Sequence, residues 1–306
     1  MASQGIDSRF HGLRPTRKYR RLGLSALLYL LPALMIIIGI IYVGIFYNAW
    51  VSTLDWNGVD SDPASIGLDN YIGIFQDDIF WGSLKHVFIF GAATVVIQMV
   101  VGLLIALVLS GPIWGRGVYK ALVFIPVVLA PAAVSTAFRQ FLSPDGQVNE
   151  LFSSFGLDFL KQAWVADPKF ALYALIAVNI FQWTGFSFLL YQAGLSQVDS
   201  QTLEAAQIDG AGVFRTITQV IVPQLKNTHI TLALTGVIGA LKTFDIVFLI
   251  TGGGPGRSTE FLTTYIYKQS IVQFHVGYGA ALSMVLLVLA FLLTLVQARL
   301  YKYGRD

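Results

Sequence analysis

The chain has 306 residues, of which 55% are hydrophobic and only 12% are Asp, Glu, Lys or Arg; an average soluble domain carries roughly 25% charge. A soluble enzyme, a disordered linker and a nucleic-acid-binding domain all fit that make-up poorly, and a membrane protein fits it well. With no cysteine, disulfide frameworks, iron–sulfur sites, thiol catalysis and Cys-ligated zinc are excluded, and the net charge of +3 matters less than where the positive charges lie.

Residues 1–23 read as a basic tail, with Arg14, Arg17, Lys18, Arg20 and Arg21 ahead of an apolar stretch from Leu24 to Trp50. That stretch is much longer than the roughly 7–15 residues of a signal-peptide core, so it is expected to be a retained helix. About 20 mostly apolar residues span the hydrocarbon core, and five further stretches qualify: Leu84–Ser110, Tyr119–Leu142, Phe170–Ala193, Thr228–Ile250 and Gly277–Val296. The expected architecture is therefore an all-α, six-helix integral membrane domain over residues 24–299, followed by a short tail, 300–306. The loop Val51–Ser83 carries Asp55, Asp60, Asp62, Asp69, Asp77 and Asp78 but no basic residue, and with Trp50, Trp56 and Trp81 it is a candidate docking surface. In the third span, Pro126 and Pro131 are expected to kink or loosen the helix.

Cytoplasmic loops carry the excess of Lys and Arg. Both tails and the connections after the second and fourth spans together hold 13 of the 20 basic residues. Both termini are therefore expected in the cytoplasm, as an even number of spans requires.

Ionisable groups inside spans cost about 2.5–3.5 kcal/mol each at the bilayer centre and mark function by default. Lys242 and Asp245 in the fifth span, beside Phe244, stand at i and i+3, where they could pair with one another or line a polar pathway. Asn179, Gln182 and Trp183 in the fourth span carry the amides and aromatic face that sugar hydroxyls and ring C–H surfaces need. Amides also serve as hydrogen-bond glue between helices. The run Gly252–Ser258 does not match the GxxxxGK[ST] phosphate loop: the glycine has no Lys after it, and Pro255 removes an N–H donor. The four histidines, His11, His86, His229 and His275, have no ligand spacing, so no metal site is expected. No ATP site is visible in the chain, and energy must come from another subunit or a gradient.

The polar segment 196–227 is the most informative. Asp199 can cap a short helix through about Ile208, Asp209-Gly210-Ala211-Gly212 makes a turn, a second helical stretch starts near Val213, and Pro223 is expected to mark a break before the fifth span. Its apolar Leu203, Ile208, Val213 and Phe214 suit either a partner's groove or the membrane surface. Glu204-Ala205-Ala206, Asp209-Gly210-Ala211 and Pro223 resemble the EAA motif of ABC importer permeases. Phe244-Asp245 with Thr251-Gly-Gly-Gly-Pro255 resembles the carbohydrate-uptake branch, of maltose and glycerol-3-phosphate permease type. Two positions depart from the family pattern, Asp199 and Asn227, where Pro is frequent.

The resemblance implies a type I importer permease of the bacterial cytoplasmic (inner) membrane, not itself an enzyme and with no cofactor of its own. ATP and Mg would be used by a cytoplasmic ATPase dimer contacting Leu203, Glu204, Ala205, Ala206, Asp209, Gly210, Ala211 and Phe214. The other implied partners are a second permease subunit, different from this chain, an extracytoplasmic solute-binding protein, membrane lipid and a small carbohydrate-like substrate. The residues also admit a self-contained secondary transporter using Lys242 and Asp245 for ion coupling, which would leave the EAA-like segment unexplained.

Overall fold

Uniformly apolar runs of about 20 residues satisfy every backbone N–H and C=O internally only as helices, and helices dominate. The computed structural model describes residues 24–303. The tail 1–23 and residues 304–306 lie outside the described residues, as do the side chains of 24–28, 298 and 300–303.

The chain divides into two compact units, residues 1–47 and 48–306. The described residues of the first form a single apolar helix: α1 (Leu24–Ile36), a π-helical stretch Ile37–Tyr42, and the start of α2 (Val43–Val51). In the second, a small hairpin of β1 (Leu54–Asp55) and β2 (Ala64–Ser65) leads to α3 (Asp69–Gln76) and the 31-residue α4 (Asp78–Val108). The side chain of Asp77 accepts from Ile79 N at 2.8 Å. This N-cap starts α4 six residues before the expected Leu84. There follow α5 (Arg116–Val128), α6 (Pro131–Phe141), α7 (Gln147–Ser154) and α8 (Ala171–Leu195). The polar segment holds α9 (Ser200–Ile208), α10 (Val213–Thr216), a π-helical stretch Ile217–Ile221 and α11 (Val222–Gln224). Last come α12 (Lys226–Lys242), α13 (Asp245–Ile250), α14 (Leu262–Tyr267) and α15 (Val276–Tyr303), which continues past the expected end at Val296.

Four helical stretches among the described residues are long and apolar enough to span a membrane: Tyr29–Val51, Asp78–Val108, Ala171–Leu195 and Val276–Gln297. The third and fifth expected spans are broken, the third beside the prolines expected to kink it and the fifth where no break was expected. In the third, α5 and α6 meet at 95°. Pro131 opens α6 and forces Ala130 into the extended region, with ψ 131°, because its ring excludes the helical conformation from the preceding residue. The fifth breaks with neither Pro nor Gly at the break: Thr243 turns extended (ψ 121°) between α12 and α13, and its carbonyl accepts from Thr263 Oγ1 at 2.5 Å. The halves beyond the two breaks, α6 and α13, pack together.

The centre is the pair α4 and α8, with α12 laid on α4 and α5 on α8. Small residues permit the close crossings. A Cβ on Gly102 would lie 2.8 Å from Ser187 Cβ and 2.9 Å from Phe188 N, and one on Gly185 would strike the α5 backbone at Val123 O. Because backbone cannot move aside as a side chain can, Gly185→Val is expected to separate α8 from α5 and to cost about 3 kcal/mol or more. Thermal unfolding in detergent should show a melting temperature well below that of the unaltered chain, and an unchanged melting temperature would contradict this packing.

Candidate functional site

The break in the fifth span creates a cavity. Its volume is about 300 Å³, and it is lined by α4 (Thr94, Gln98), α8 (Asn179, Trp183, Ser187) and α12 with the following break and α13 (Thr235, Lys242, Thr243, Phe244, Asp245). Five of the six expected pathway residues therefore share one cavity. The sixth, Gln182, is fully buried elsewhere: its Nε2 donates to Leu129 O at 3.3 Å. That amide holds the carbonyl freed where α5 ends, so it acts as interhelical glue. Asn179 has both roles in view, lining the cavity while its Oδ1 accepts from Gln98 Nε2 at 2.9 Å.

Lys242 and Asp245 are not paired: among the described residues no ion pair joins them. Each instead complements a different helix end. Lys242 is in the last turn of α12 and Asp245 in the first turn of α13. These are the negative and positive ends of their helix dipoles. A break two residues wide, Thr243 and Phe244, thus places both charges at the cavity wall. The expected shared face on one continuous helix does not exist. Phe244 stacks on Phe248 (4.9 Å between ring centroids, 16° between planes), and Tyr267 meets Phe248 edge-on at 4.9 Å, an aromatic wall beside the charges.

Thr94 and Gln98, at i and i+4 on α4, were not among the expected site residues. Their spacing gives one polar face on an apolar helix, which is the signal that finds them. A second polar cluster also lay outside expectation. Asp77 Oδ2 accepts from Tyr265 OH and, at 2.9 Å, from Tyr278 OH. Burial first, then the hydrogen bond to Asp77, raises the ionisation of Tyr265 far above the ordinary tyrosine range, so it remains a donor. Nearby Glu260 is 2% exposed and takes Lys268 Nζ and Thr264 Oγ1 on its carboxylate. Removing Lys268 strands the buried Glu260 carboxylate, at up to about 3 kcal/mol because the Lys268 side chain is itself 32% exposed. Lys268→Met is expected to lower unfolding stability by about that amount, while Lys268→Met with Glu260→Gln recovers most of it; equal losses in the two would refute the pairing.

The polar segment 196–227 is built by local rules. Asp199 Oδ1 accepts from Gln201 N at 3.0 Å, capping α9. At the other end Gly210 takes φ +73°, Gly210 N donates to Gln207 O at 3.0 Å and Ala211 N to Ala206 O at 2.9 Å, a left-handed glycine cap. Gly212 then starts α10. The helix end after Pro223 lies at Leu225 rather than at the proline, with the π-helical stretch directly upstream; a wider register there accommodates the missing N–H. Leu203, Ala206 and Ala211 are half-buried, while Glu204, Ala205, Asp209 and Gly210 are exposed. Ile208 (86%), Val213 (79%) and Phe214 (79%) are exposed as well, so one small helix–turn–helix presents an apolar tip. Lone exposed apolar residues are ordinary, but three large ones on one turn are a contact surface in waiting.

Residues 98–302 match the family described as binding-protein-dependent transport system inner membrane component. The chain belongs to that family. The matched residues contain the cavity walls from Gln98 onward and the whole polar segment 196–227. This permease is 30% identical over 283 residues to the probable ABC transporter permease protein YurN of Bacillus subtilis (strain 168), covering 91% of this chain and 96% of that protein. It is 30% identical over 292 residues to the trehalose/maltose transport system permease protein MalF of Thermococcus litoralis, covering 94% and 97%. Its fold matches a chain in the crystal structure of a bacterial ABC transporter involved in the import of the acidic polysaccharide alginate, with a TM-score of 0.80 at 22% identity over 92% of this chain and 97% of that one. The permease is thus a multi-pass inner-membrane subunit of an ABC importer with a type I fold. ATP hydrolysis lies in a partner subunit, and a solute-binding protein belongs to the system.

Proposed function

We propose that this permease forms one half of the import pathway for a small carbohydrate or polyol derivative, beside a second, similar but non-identical permease. The supporting observation is the cavity at the broken fifth span, where Trp183 and Phe244 offer aromatic faces and Asp245, Asn179 and Lys242 offer polar groups within one wall. A sugar presents both a C–H face and hydroxyls, and that mixture suits it. The relative named for trehalose and maltose transport supports the same substrate class.

In this reading both termini are cytoplasmic, and an ATPase dimer grips α9 and α10 through Glu204, Ala205, Ala206 and the apolar tip. ATP and Mg are consumed there, and closure of the dimer moves the tip and tilts the attached helices. The acidic loop Val51–Ser83 faces outward, where the solute-binding protein docks.

The experiment is co-purification followed by reconstitution into proteoliposomes. A complex carrying an ATPase, with ATP-dependent uptake of a labelled disaccharide presented on its binding protein, is the expected result. Uptake driven by an ion gradient, with no ATP and no partner, would overturn the proposal in favour of an ion-coupled transporter.

A further inference from the structure

One titratable side chain joins the coupling segment to two membrane helices, and none of the chemistry above uses it. His229 lies in the first turn of α12. Its Nε2 is 3.1 Å from the carbonyl oxygen of Val222 in α11, and its Nδ1 is 2.7 Å from the hydroxyl of Tyr191 in α8. A carbonyl only accepts, so Nε2 carries a proton and donates to it. The Tyr191 hydroxyl, able to donate or accept, completes Nδ1. The two rings meet edge-on at 5.3 Å.

The surroundings make this bridge stiff. Tyr191 is 1% exposed, within a cluster that includes Leu225, Leu232 and Ile221. There a Tyr191 hydroxyl that loses its partner has no water to turn to. The bridge also straddles the break at Leu225, where the segment joins the fifth span. Leu225 ends α11 and precedes α12, and Gly194 of α8 lies against that point so closely that a Cβ there would be 2.6 Å from Thr228 Oγ1. Backbone hydrogen bonds end at Leu225 from either side, Leu225 N donating to Ile221 O (3.1 Å) and His229 N to Leu225 O (3.0 Å). Neither reaches α8, whereas the His229 ring does.

We propose that His229 is a positioning residue which locks α11, α12 and α8 into one lever, so that displacement of the coupling segment reaches the cavity instead of being lost by bending at Leu225. This rests on the reading of the segment as the ATPase contact. It adds which side chain carries the motion into the membrane: without the two ring bonds, ATP hydrolysis continues while the cavity stops responding.

The test uses the assembled importer and a probe independent of the transported solute. The chain has no cysteine, so Thr235→Cys places a single thiol in the cavity wall, and its labelling by a membrane-impermeant maleimide is measured with and without ATP and vanadate. In the parent complex ATP changes the labelling rate. In His229→Leu that ATP-dependent change is expected to shrink about tenfold, the scale of one or two lost hydrogen bonds, with ATP hydrolysis and ATPase co-purification as in the parent. His229→Gln, which can donate to Val222 O and accept from Tyr191, should restore it to within about twofold. Tyr191→Phe removes only a hydroxyl and should reproduce the loss, deciding the matter if His229→Leu does not assemble. A full ATP response in Tyr191→Phe or His229→Leu, or Gln failing as badly as Leu, overturns the lever. A parent complex whose ATPase does not co-purify, or whose cavity ignores ATP, overturns the ATPase-contact reading and the lever with it.

Discussion

Gly210→Val is expected to reach the membrane in normal amounts and to lose ATP-driven uptake by at least about tenfold. Space is not the reason, since a Cβ at Gly210 would meet nothing within 4 Å. The reason is conformation: Gly210 holds φ +73°, a left-handed geometry that costs an L-residue roughly 1–2 kcal/mol, and more when it is β-branched. Val must either strain that turn or unwind it. Unwinding breaks the bonds from Gly210 N to Gln207 O and from Ala211 N to Ala206 O and swings α10 away from α9. Exposed Ile208, Val213 and Phe214 then no longer form one tip. Gly210→Asn separates shape from sequence, because Asn tolerates the left-handed region and should retain most of the uptake. Glu204→Lys asks the complementary question. Glu204 is exposed and has no hydrogen bond or ion pair among the described residues, so reversing its charge changes folding by only about 0.5 kcal/mol. Any large loss of ATPase co-purification therefore reports a partner's surface. Normal uptake by Gly210→Val and Glu204→Lys together would remove the segment from the coupling route.

That segment was legible in the sequence because its structure is made by neighbours. A carboxylate cap at Asp199, a helix of nine residues and a glycine at the left-handed position are all local chemistry, and each is where the residues predict it. The four uninterrupted spanning stretches were legible for a related reason, since a uniformly apolar run has one way to satisfy its backbone in lipid. The broken spans show where local reading stops. Pro126 and Pro131 announced a disturbance, but the 95° angle depends on α6 finding α13 and on Gln182 holding Leu129 O from another helix. The break at Thr243 has no local signal at all. It is held by Thr263, 20 residues away, and only tertiary structure brings the two together. Because that break was invisible, Lys242 and Asp245 read as possible partners on one face, and their separate service at two helix ends could not be foreseen. The cavity followed the same division: Asn179 and the aromatic and charged members stood out against apolar spans, while Thr94 and Gln98 carry only the weaker signal of their i, i+4 spacing.

Asp245→Asn and Trp183→Ala are expected to give the largest loss of uptake without loss of the complex. Asn keeps the volume of Asp245 and still suits a helix N-terminus, so α13 should form as before. What disappears is a charged acceptor at the cavity wall, and hydrogen bonds to charged groups are worth about 1.5–3 kcal/mol. The corresponding fall in uptake kcat/KM is roughly ten- to hundredfold. Trp183 is 37% exposed into the space that Phe244 also lines, and removing its ring removes a stacking face for a sugar. The loss should be of similar size and fall mainly on KM, since an apolar face holds the ground state and the passing state alike. Gln182→Ala supplies the contrast: it lies outside the cavity, so its effect should appear as lower thermal stability, about 1–3 kcal/mol for the freed Leu129 carbonyl, with KM unchanged. These three variants, measured in proteoliposomes with ATP inside and scored also for ATPase co-purification, separate a solute-lined pathway from a structural cavity. If Asp245→Asn and Trp183→Ala transport as well as the unaltered permease while Gln182→Ala alters KM, the solute does not pass where the fifth span breaks.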